Sequence, residues 1–348
     1  MTARVLFVVP TFNRAPELPR TLGAIARQNW RADALAIFVV DNSSTDSTGE
    51  IVAELGRTLR CRVDYLRKAP EGPTIARNLG LRRADADYVA FVDSDVELDP
   101  DWTAATVAAL DGDPRLAQVG GKLVFAHDRG VLNSYGGSIG RLGLAWDHGE
   151  GAPANSETRD RDVLWVNTAA VLMRPQAVLA AGGFDERFFY GYEEADLGLR
   201  LAIAGWRTRV VPNALAMHHV DVRIGVSHPD VVFHYTKNRV RMGLKCLGWG
   251  WLTWFVPATL AYGIADALLH RPHAARLQAL LWNVREIGDT WRLRRLAQQG
   301  RTLPDRVAIA PFLNNWFPPQ RLGGLRRRAV HGTAREALPD DRVVPRRR

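Results

Sequence analysis

The chain's 348 residues are 47% hydrophobic and carry 46 Lys and Arg against 37 Asp and Glu, a formal net charge of +9. A length beyond that of a usual single domain predicts one large α/β unit with an appendage, or two domains. Two cysteines far apart, Cys61 and Cys246, exclude a disulfide framework and a zinc site and point to a reducing compartment. The basic surplus belongs to the end of the chain, where residues 271–348 hold seventeen arginines and no lysine against six acids, so it suits an anionic surface and says nothing about the fold of the rest.

Strand-like and helix-like patterns alternate from the start. Arg4 to Val9 is an apolar strand entered almost at once, with no signal-peptide core before it, so the catalytic part is expected in the cytoplasm. The loop Pro10 to Arg14 follows, then a helical pattern from Glu17 to Gln28 with Leu18, Leu22 and Ile25 on one face. A second strand, Leu35 to Val40, ends at Asp41-Asn-Ser-Ser-Thr-Asp46, a run of helix-capping residues before the periodic segment Ile51 to Leu59. A short strand at Val63 to Leu66 leads through Pro70-Glu-Gly-Pro73 to a helix, Thr74 to Arg83, and a further strand from Tyr88 ends at Asp93. This repetition predicts a parallel sheet with right-handed crossovers and its loops gathered at one edge.

Ligands of such sheets sit outside the carboxyl ends of the strands. There the chain places Thr11 and Asn13 after the first strand, Asp41 after the second, and Asp93 and Asp95 after the fourth. Two carboxylates one residue apart repel unless a cation lies between them, and a hard ion such as Mg²⁺ or Mn²⁺ that also holds substrate phosphates is the economical partner. The alternatives are ordinary ones: a surface turn at Asp93-Ser-Asp95, and a helix cap at Asp41. Neither a dinucleotide fingerprint nor a P-loop occurs.

From Asp111 to Asp162 the sequence is glycine-rich and weakly patterned, apart from an apolar stretch, Gln118 to Phe125. Val163 to Met173 reads as one strand and is followed by a short helix from Pro175. Next comes an aromatic and glycine-dense loop, Gly182 to Tyr192. In the helix after it, Leu197, Leu201 and Ala204 form an apolar stripe, with Glu193 and Glu194 to either side of its N-terminal end and Asp196 placed to pair with Arg200. The macrodipole favours acids at a helix start, but acids flanking a core stripe are partly buried, which raises a carboxylate toward the range of a general base.

These residues carry a resemblance. Val9-Pro-Thr-Phe-Asn-Arg14, Val40-Asp-Asn-Ser-Ser-Thr-Asp46, Ala76-Arg-Asn-Leu-Gly80, Val92-Asp-Ser-Asp95, Gly182-Gly-Phe-Asp-Glu186, Tyr192-Glu-Glu-Ala-Asp-Leu197 and Ala204-Gly-Trp206 occur in an order similar to that of glycosyltransferase family 2, in particular its bacterial rhamnosyltransferase-like branch. The resemblance implies an α/β GT-A fold with a mainly parallel central sheet, and inverting transfer from a nucleotide-diphosphate sugar to a hydroxyl of a glycan or lipid-linked acceptor. It implies Pro10, Thr11 and Asp41 at the base and ribose, with Arg77 and Asn78 lining the sugar-donor site. Asp93, Asp95 and His218 would stand at the divalent cation, and Glu194 would be the base, with Glu193 as runner-up. The catalytic domain would span residues 1–230 and a helical region 231–348. Two other classes stay open: a nucleotidyltransferase, which would normally show a Gly- and Arg/Lys-rich loop after its first strand, and a non-catalytic membrane-associated sugar-binding protein, which has no need of these acids together.

In the C-terminal third, Cys246 to Ala265 is an uncharged run long enough to cross a bilayer but worth only ~2–4 kcal/mol toward insertion, with Trp249, Trp251 and Trp254 at one end. Leu277, Leu280, Leu281, Val284 and Ile287 continue as an apolar stripe beside Arg292, Arg294 and Arg295. The expectation is a basic amphipathic helix on the anionic inner face of the cell membrane, each Arg contributing ~1 kcal/mol at most. The alternatives are a helix packed on the catalytic domain, and nucleic-acid binding, which is disfavoured by the Trp and Leu content.

Overall fold

The computed structural model describes residues 2–220, 228–313 and 316. The expected alternation is present as β1 (Val5–Thr11), α1 (Leu18–Ala26), β2 (Leu35–Asp41), α2 (Thr48–Thr58), β3 (Arg62–Arg67), α3 (Pro73–Arg83) and β4 (Tyr88–Val92). After it come β5 (Val96–Leu98), α4 (Trp102–Gly112), β6 (Leu116–Phe125), β7 (Asp128–Ser134), β8 (Gly137–Ile139), β9 (Ala145–Asp147) and β10 (Arg161–Val163). The main sheet is completed by β11 (Ala170–Met173) and β12 (Arg207–His218), separated by α5 (Pro175–Ala180) and α6 (Glu193–Ile203).

β1, β2 and β4 are near-continuous apolar runs because both their faces are covered. Phe7, Val9, Ile37, Val39 and Val92 pack toward α1, α2 and α4, while Val8, Phe38, Val40, Val89 and Phe91 pack toward α3, α5 and α6. The sheet order is β10-β12-β6-β11-β4-β1-β2-β3, parallel from β4 through β3 and between β6 and β12. β11 is the antiparallel insertion, lying between β4 and β6.

One expectation fails here. Val163 to Met173 is not a single strand: β10 stops at Val163 and β11 starts at Ala170. Leu164 and Trp165 leave the sheet because they bury in a separate apolar cluster with Leu199, Ile203 and Phe255, and an apolar run carries no sign of which neighbour will cover it. A second irregularity lies in β12, whose register against β6 shifts between Val211 and Leu215. The bulge brings the Ala214 carbonyl within 1.6 Å of where a Cβ on residue 121 would stand, so only glycine fits at Gly121.

The C-terminal helices are α7 (Pro229–Cys246), α8 (Trp249–Leu269), α9 (His273–Arg285), α10 (Ile287–Gln299) and α11 (Asp305–Ala308). Of these, α7, α8 and the end of α11 share that cluster with α6, through Met242, Cys246, Leu252, Phe255 and Ile309. Among the described residues α8 is the one helix long and apolar enough to cross a membrane by length and composition. It packs through Leu252, Phe255, Thr259, Gly263 and Ala267 and leaves Leu260, Ile264 and Leu268 exposed. α9 packs through Ala275, Ala279 and Asn283, so Leu277, Leu281 and Val284 of the expected stripe face outward. Leu280 turns instead toward Gly263. Arg294 is not a surface charge: it is buried, donates to the carbonyls of Leu244 and Leu247, and lies over the Trp249 ring. The most basic part of the tail, from Arg321 onward, lies outside the described residues.

Buried charge joins α6 to α7. Lys245 Nζ lies 2.6 Å from Asp185 and 2.7 Å from Asp196, Arg241 pairs with Asp185 at 2.9 Å, and Asp196 pairs with Arg200 at 2.8 Å. The expected Asp196–Arg200 pair is therefore present but fully enclosed. Burial pushes the Asp185 carboxyl up, but the charges of Lys245 and Arg241 outweigh it and hold the group well below the usual carboxylate range. Removing one partner strands the others' charge, so Lys245→Met should destabilise the fold by about 3–5 kcal/mol in urea unfolding. A loss under about 1 kcal/mol, the range of a surface pair, would show that the network is not structural.

Candidate active site

The loops at the carboxyl ends of β1, β2 and β4 meet as expected. After β1, Thr11 is buried and its hydroxyl has no hydrogen-bond partner among the described residues, which leaves it available to a ligand. Asn13 and Asp41 are already engaged. Asn13, in the left-handed region at φ 51°, receives the Thr45 amide on Oδ1 at 2.8 Å, and its own amide donates to the Ser44 hydroxyl at 2.9 Å. Asp41 accepts from the Ser44 amide at 2.9 Å, the Ser44 hydroxyl at 2.6 Å and the Tyr65 hydroxyl at 2.5 Å. These bonds stitch the β1 and β2 loops into one wall; Pro10 is the penultimate residue of β1, just before it.

Arg77 stands on α3 and is 3% exposed. Its guanidinium reaches Asp93 at 3.0 Å and Glu193 at 3.2 Å, joining the end of β4 to the start of α6. Asn78, one residue on, spends its amide on the 182–192 loop: Oδ1 accepts from the Phe184 amide at 2.8 Å, and Nδ2 donates to the Phe184 carbonyl at 2.9 Å and to Glu186 at 3.0 Å. It builds the wall of the site rather than presenting a free group.

Asp95 and His218 are brought together by strand pairing, because β5 runs antiparallel to the end of β12 with His218 opposite Val96. His218 Nε2 lies 3.4 Å from Asp95 Oδ1, and Arg14 lies 3.6 Å from Oδ2. Burial pushes the Asp95 carboxyl up, yet its hydrogen bond to His218 and the charges of His218 and Arg14 keep it below the ordinary value. His218 Nδ1 is 2.8 Å from Asn133 Oδ1, an acceptor, so Nδ1 can donate there while Nε2 is turned toward Asp95. With Nδ1 donating, Nε2 is the ring nitrogen that could ligate a metal. Among the described residues no three His, Cys, Asp or Glu side chains form a metal cluster, and Asp93 has Oδ1 in its pair with Arg77. Asp95 and His218 would thus supply at most two ligands and leave the rest to phosphate oxygens and water, as in sites where a cation also holds substrate phosphates.

The two glutamates separate. Glu193 is 7% exposed and held by Arg77; burial first, and the charge of Glu194 second, push its carboxyl up to about 8. Glu194 is less enclosed and accepts a hydrogen bond from Thr168 at 3.0 Å. Tyr192, the residue before them, holds a left-handed conformation at φ 71°, and its hydroxyl accepts from the Ala145 amide at 3.2 Å. The turn that aims α6 is therefore fixed from outside the helix.

Three neighbours escaped the sequence reading. Thr168 lay in a segment taken for strand. Tyr190 lay in the aromatic loop; its phenol is pushed up by burial and by the charges of Glu193, Glu194 and Asp93. Asp147 on β9 is half-buried with its Oδ1 enclosed, and its carboxyl is pushed up to about 7, by burial first and with the charge of Glu194 contributing; no pattern in the glycine-rich stretch marked it.

Comparison with known proteins agrees with this geometry. Residues 6–134 match the family model described as glycosyl transferase family 2, and residues 88–265 match glycosyl transferase family group 2. An N-acetylglucosaminyl-diphospho-decaprenol L-rhamnosyltransferase of Mycobacterium tuberculosis is 27% identical over 294 residues, covering 75% of this chain and 92% of the relative. A validoxylamine A glucosyltransferase of Streptomyces hygroscopicus subsp. limoneus is 30% identical over 95% of this chain and 71% of its own length. Among solved structures, the mannosyltransferase PcManGT from Pyrobaculum calidifontis, in complex with GDP-Man and Mn²⁺, superposes with a TM-score of 0.53 at 19% identity over 86% of each chain. With one family model matching residues 88–265 and a relative 30% identical over 95% of the chain, the protein belongs to glycosyltransferase family 2.

Proposed function

We propose that the protein transfers a sugar from a nucleotide-diphosphate donor to a hydroxyl of a lipid-linked or envelope glycan, with inversion at the anomeric carbon. The observation that carries this reading is the convergence of Asp95, His218 and the Arg77–Asp93–Glu193 cluster with Glu194 at the carboxyl edge of the sheet. In this reading residues 1–230 form the catalytic unit and the described part of residues 231–348 its helical support.

Pro10 and Thr11 would hold the base and ribose, with Asp41 and Asn13 shaping their wall. Asp95 and His218 would hold Mg²⁺ or Mn²⁺, with Asp93 beside them. A cation there supplies charge neutralisation for the departing nucleoside diphosphate. Glu194, positioned by Thr168, takes the proton of the acceptor hydroxyl as that oxygen attacks from the face opposite the diphosphate. The bond to the phosphate oxygen breaks with its electron pair, and a single displacement inverts the centre. No second carboxylate is needed as an acid, because the leaving group departs as an anion. A nucleotidyltransferase would release inorganic diphosphate instead. Release of nucleoside diphosphate from a nucleotide sugar with Mn²⁺ present therefore tests the class.

The name of the Mycobacterium tuberculosis relative, a diphospho-decaprenol rhamnosyltransferase, supports a lipid-linked acceptor, and the outward apolar residues of α8 and α9 support attachment to the inner face of the membrane. Leu268 and Val284, 70% and 69% exposed, are too open for a charge there to disturb the core. The double variant Leu268→Glu/Val284→Glu should lose flotation with anionic liposomes while its melting point stays unchanged. Flotation equal to that of the parent protein would remove the membrane role of this face.

Metal dependence is tested by chelation. EDTA should abolish transfer and Mn²⁺ restore it, and Asp95→Ala should be inactive but folded. An Asp95→Ala enzyme that keeps near-parental turnover in EDTA would eliminate the cation site.

Glu194→Gln should lower turnover by ~10²–10⁴ with donor affinity little changed, because the amide keeps the shape but cannot take a proton. Glu193→Gln should cost much less, since that side chain is committed to Arg77. The opposite ranking would transfer the base role to Glu193.

A further inference from the structure

Between α3, the 182–189 loop and helices α7, α9 and α10 lies an open groove of about 1070 Å³. None of Asp93, Asp95, Glu194 or His218 lines it. Its walls carry large apolar side chains, among them Phe233, Leu281, Trp282 and Leu296. Its five carboxylates all have partners. Asp185 pairs with Arg241 and Lys245, Asp289 with Arg241 and Arg292, Glu186 with Arg82, Glu71 with Lys68, and Asp230 with His228.

Two of its cations have no such partner. Lys237 is 4% exposed; its ammonium lies 4.3 Å from the centre of the Trp282 ring and donates to the Arg187 carbonyl at 2.7 Å, with no carboxylate of the described residues in ion-pair range. Arg285, exposed at the groove's rim, likewise has no carboxylate partner among the described residues. His234, stacked on Phe189 in the same wall, keeps a buried Nδ1 without a hydrogen-bond partner among them. Burial, followed by the charge of Arg241, pushes the Lys237 ammonium down to about 8 against the more distant charges of Asp185 and Glu286.

A free phosphate has no use for the apolar walls, and an uncharged lipid has no use for a buried ammonium. A ligand that satisfies both carries its anion on an apolar chain. We propose that this groove binds the phosphate or diphosphate of a single-chain phosphorylated lipid, with the anion at Lys237 and Arg285 and the chain along Leu281, Trp282 and Leu296. Leu277, Leu281 and Val284 continue the apolar path outward along α9. On α7, Lys237 follows two residues after Tyr235, whose ring packs against Tyr190 at 5.8 Å and feels the charges of Glu193 and Glu194. Groove and catalytic carboxylates are therefore served by neighbouring side chains of one helix, as one molecule with a lipid phosphate and an acceptor sugar requires. The inference rests on the lipid-linked reading of the acceptor given above.

The test is a tryptophan-fluorescence titration of the full-length protein in neutral detergent, with farnesyl diphosphate as the probe. Farnesyl diphosphate should bind saturably, and farnesol and inorganic diphosphate about tenfold or more weaker. Lys237→Gln should weaken farnesyl diphosphate by about tenfold, and Arg285→Gln, which is exposed and cannot disturb the core, by several-fold. Asp95→Ala should bind as the parent does. Equal binding of farnesol, no effect of either groove variant, or loss of binding in Asp95→Ala, which would place the anion in the nucleotide site, each overturns the proposal. Should Lys237→Gln fail to fold, Arg285→Gln decides alone. Binding is read without turnover, so a failed groove and a failed transferase reading give different results.

Discussion

A single buried guanidinium organises the catalytic edge. Arg77 sits between Asp93 and Glu193, residues 16 and 116 positions away, and holds the end of β4 against the start of α6. Asp93, Glu193 and Glu194 would otherwise be three acids gathered in a low-dielectric pocket, and their mutual repulsion would open it. The charges of all three raise the Arg77 pKa against the effect of its own burial. The pair also divides labour between the glutamates. Glu193 is spent on structure, and Glu194 is left, among the described residues, with a hydroxyl partner, Thr168.

What Arg77 does for one side of the site, strand pairing does for the other. His218 ends a strand whose bulge is accommodated by Gly121, and the short β5 pairs with that strand to place Asp95 beside the imidazole. Asn133 then holds the other ring nitrogen, Nδ1, at 2.8 Å. Backbone pairing thus sets the position of the two side chains, and a side-chain acceptor orients the imidazole.

The C-terminal helices are part of this arrangement rather than a loose appendage. The Asp185–Lys245–Asp196 network locks α7 to α6, so the helix that carries Glu194 is supported from behind by residues fifty positions later. Several cations of the helical region, Arg241, Lys245 and Arg294 among them, are consumed internally, while apolar side chains of α8 and α9 face outward. This inverts the usual distribution for a soluble helix, and an outward apolar face calls for a partner surface.

The order of strands and helices through β4 was legible in the sequence, because periodicity and abrupt changes from apolar to acidic residues are local properties that follow from covering both faces of a sheet; the short β5 after it was not. The same reasoning placed Asp93, Asp95 and Asp41 at strand ends and paired Asp196 with Arg200. It could not break Val163 to Met173 into two strands, since an apolar run looks the same whichever cluster receives it. Nor could it separate Glu193 from Glu194, foresee that Asn78 serves the 182–192 loop, or find Asp147 in a stretch without pattern. Those outcomes depend on which distant residue occupies the neighbouring space: Arg77 beside one glutamate, Thr168 beside the other, Phe184 beside the amide. Sequence by itself determined which chemical groups reach the edge of the sheet, and only tertiary packing decided which of them were consumed in holding it together, because burial and pairing are properties of a neighbourhood and not of a residue.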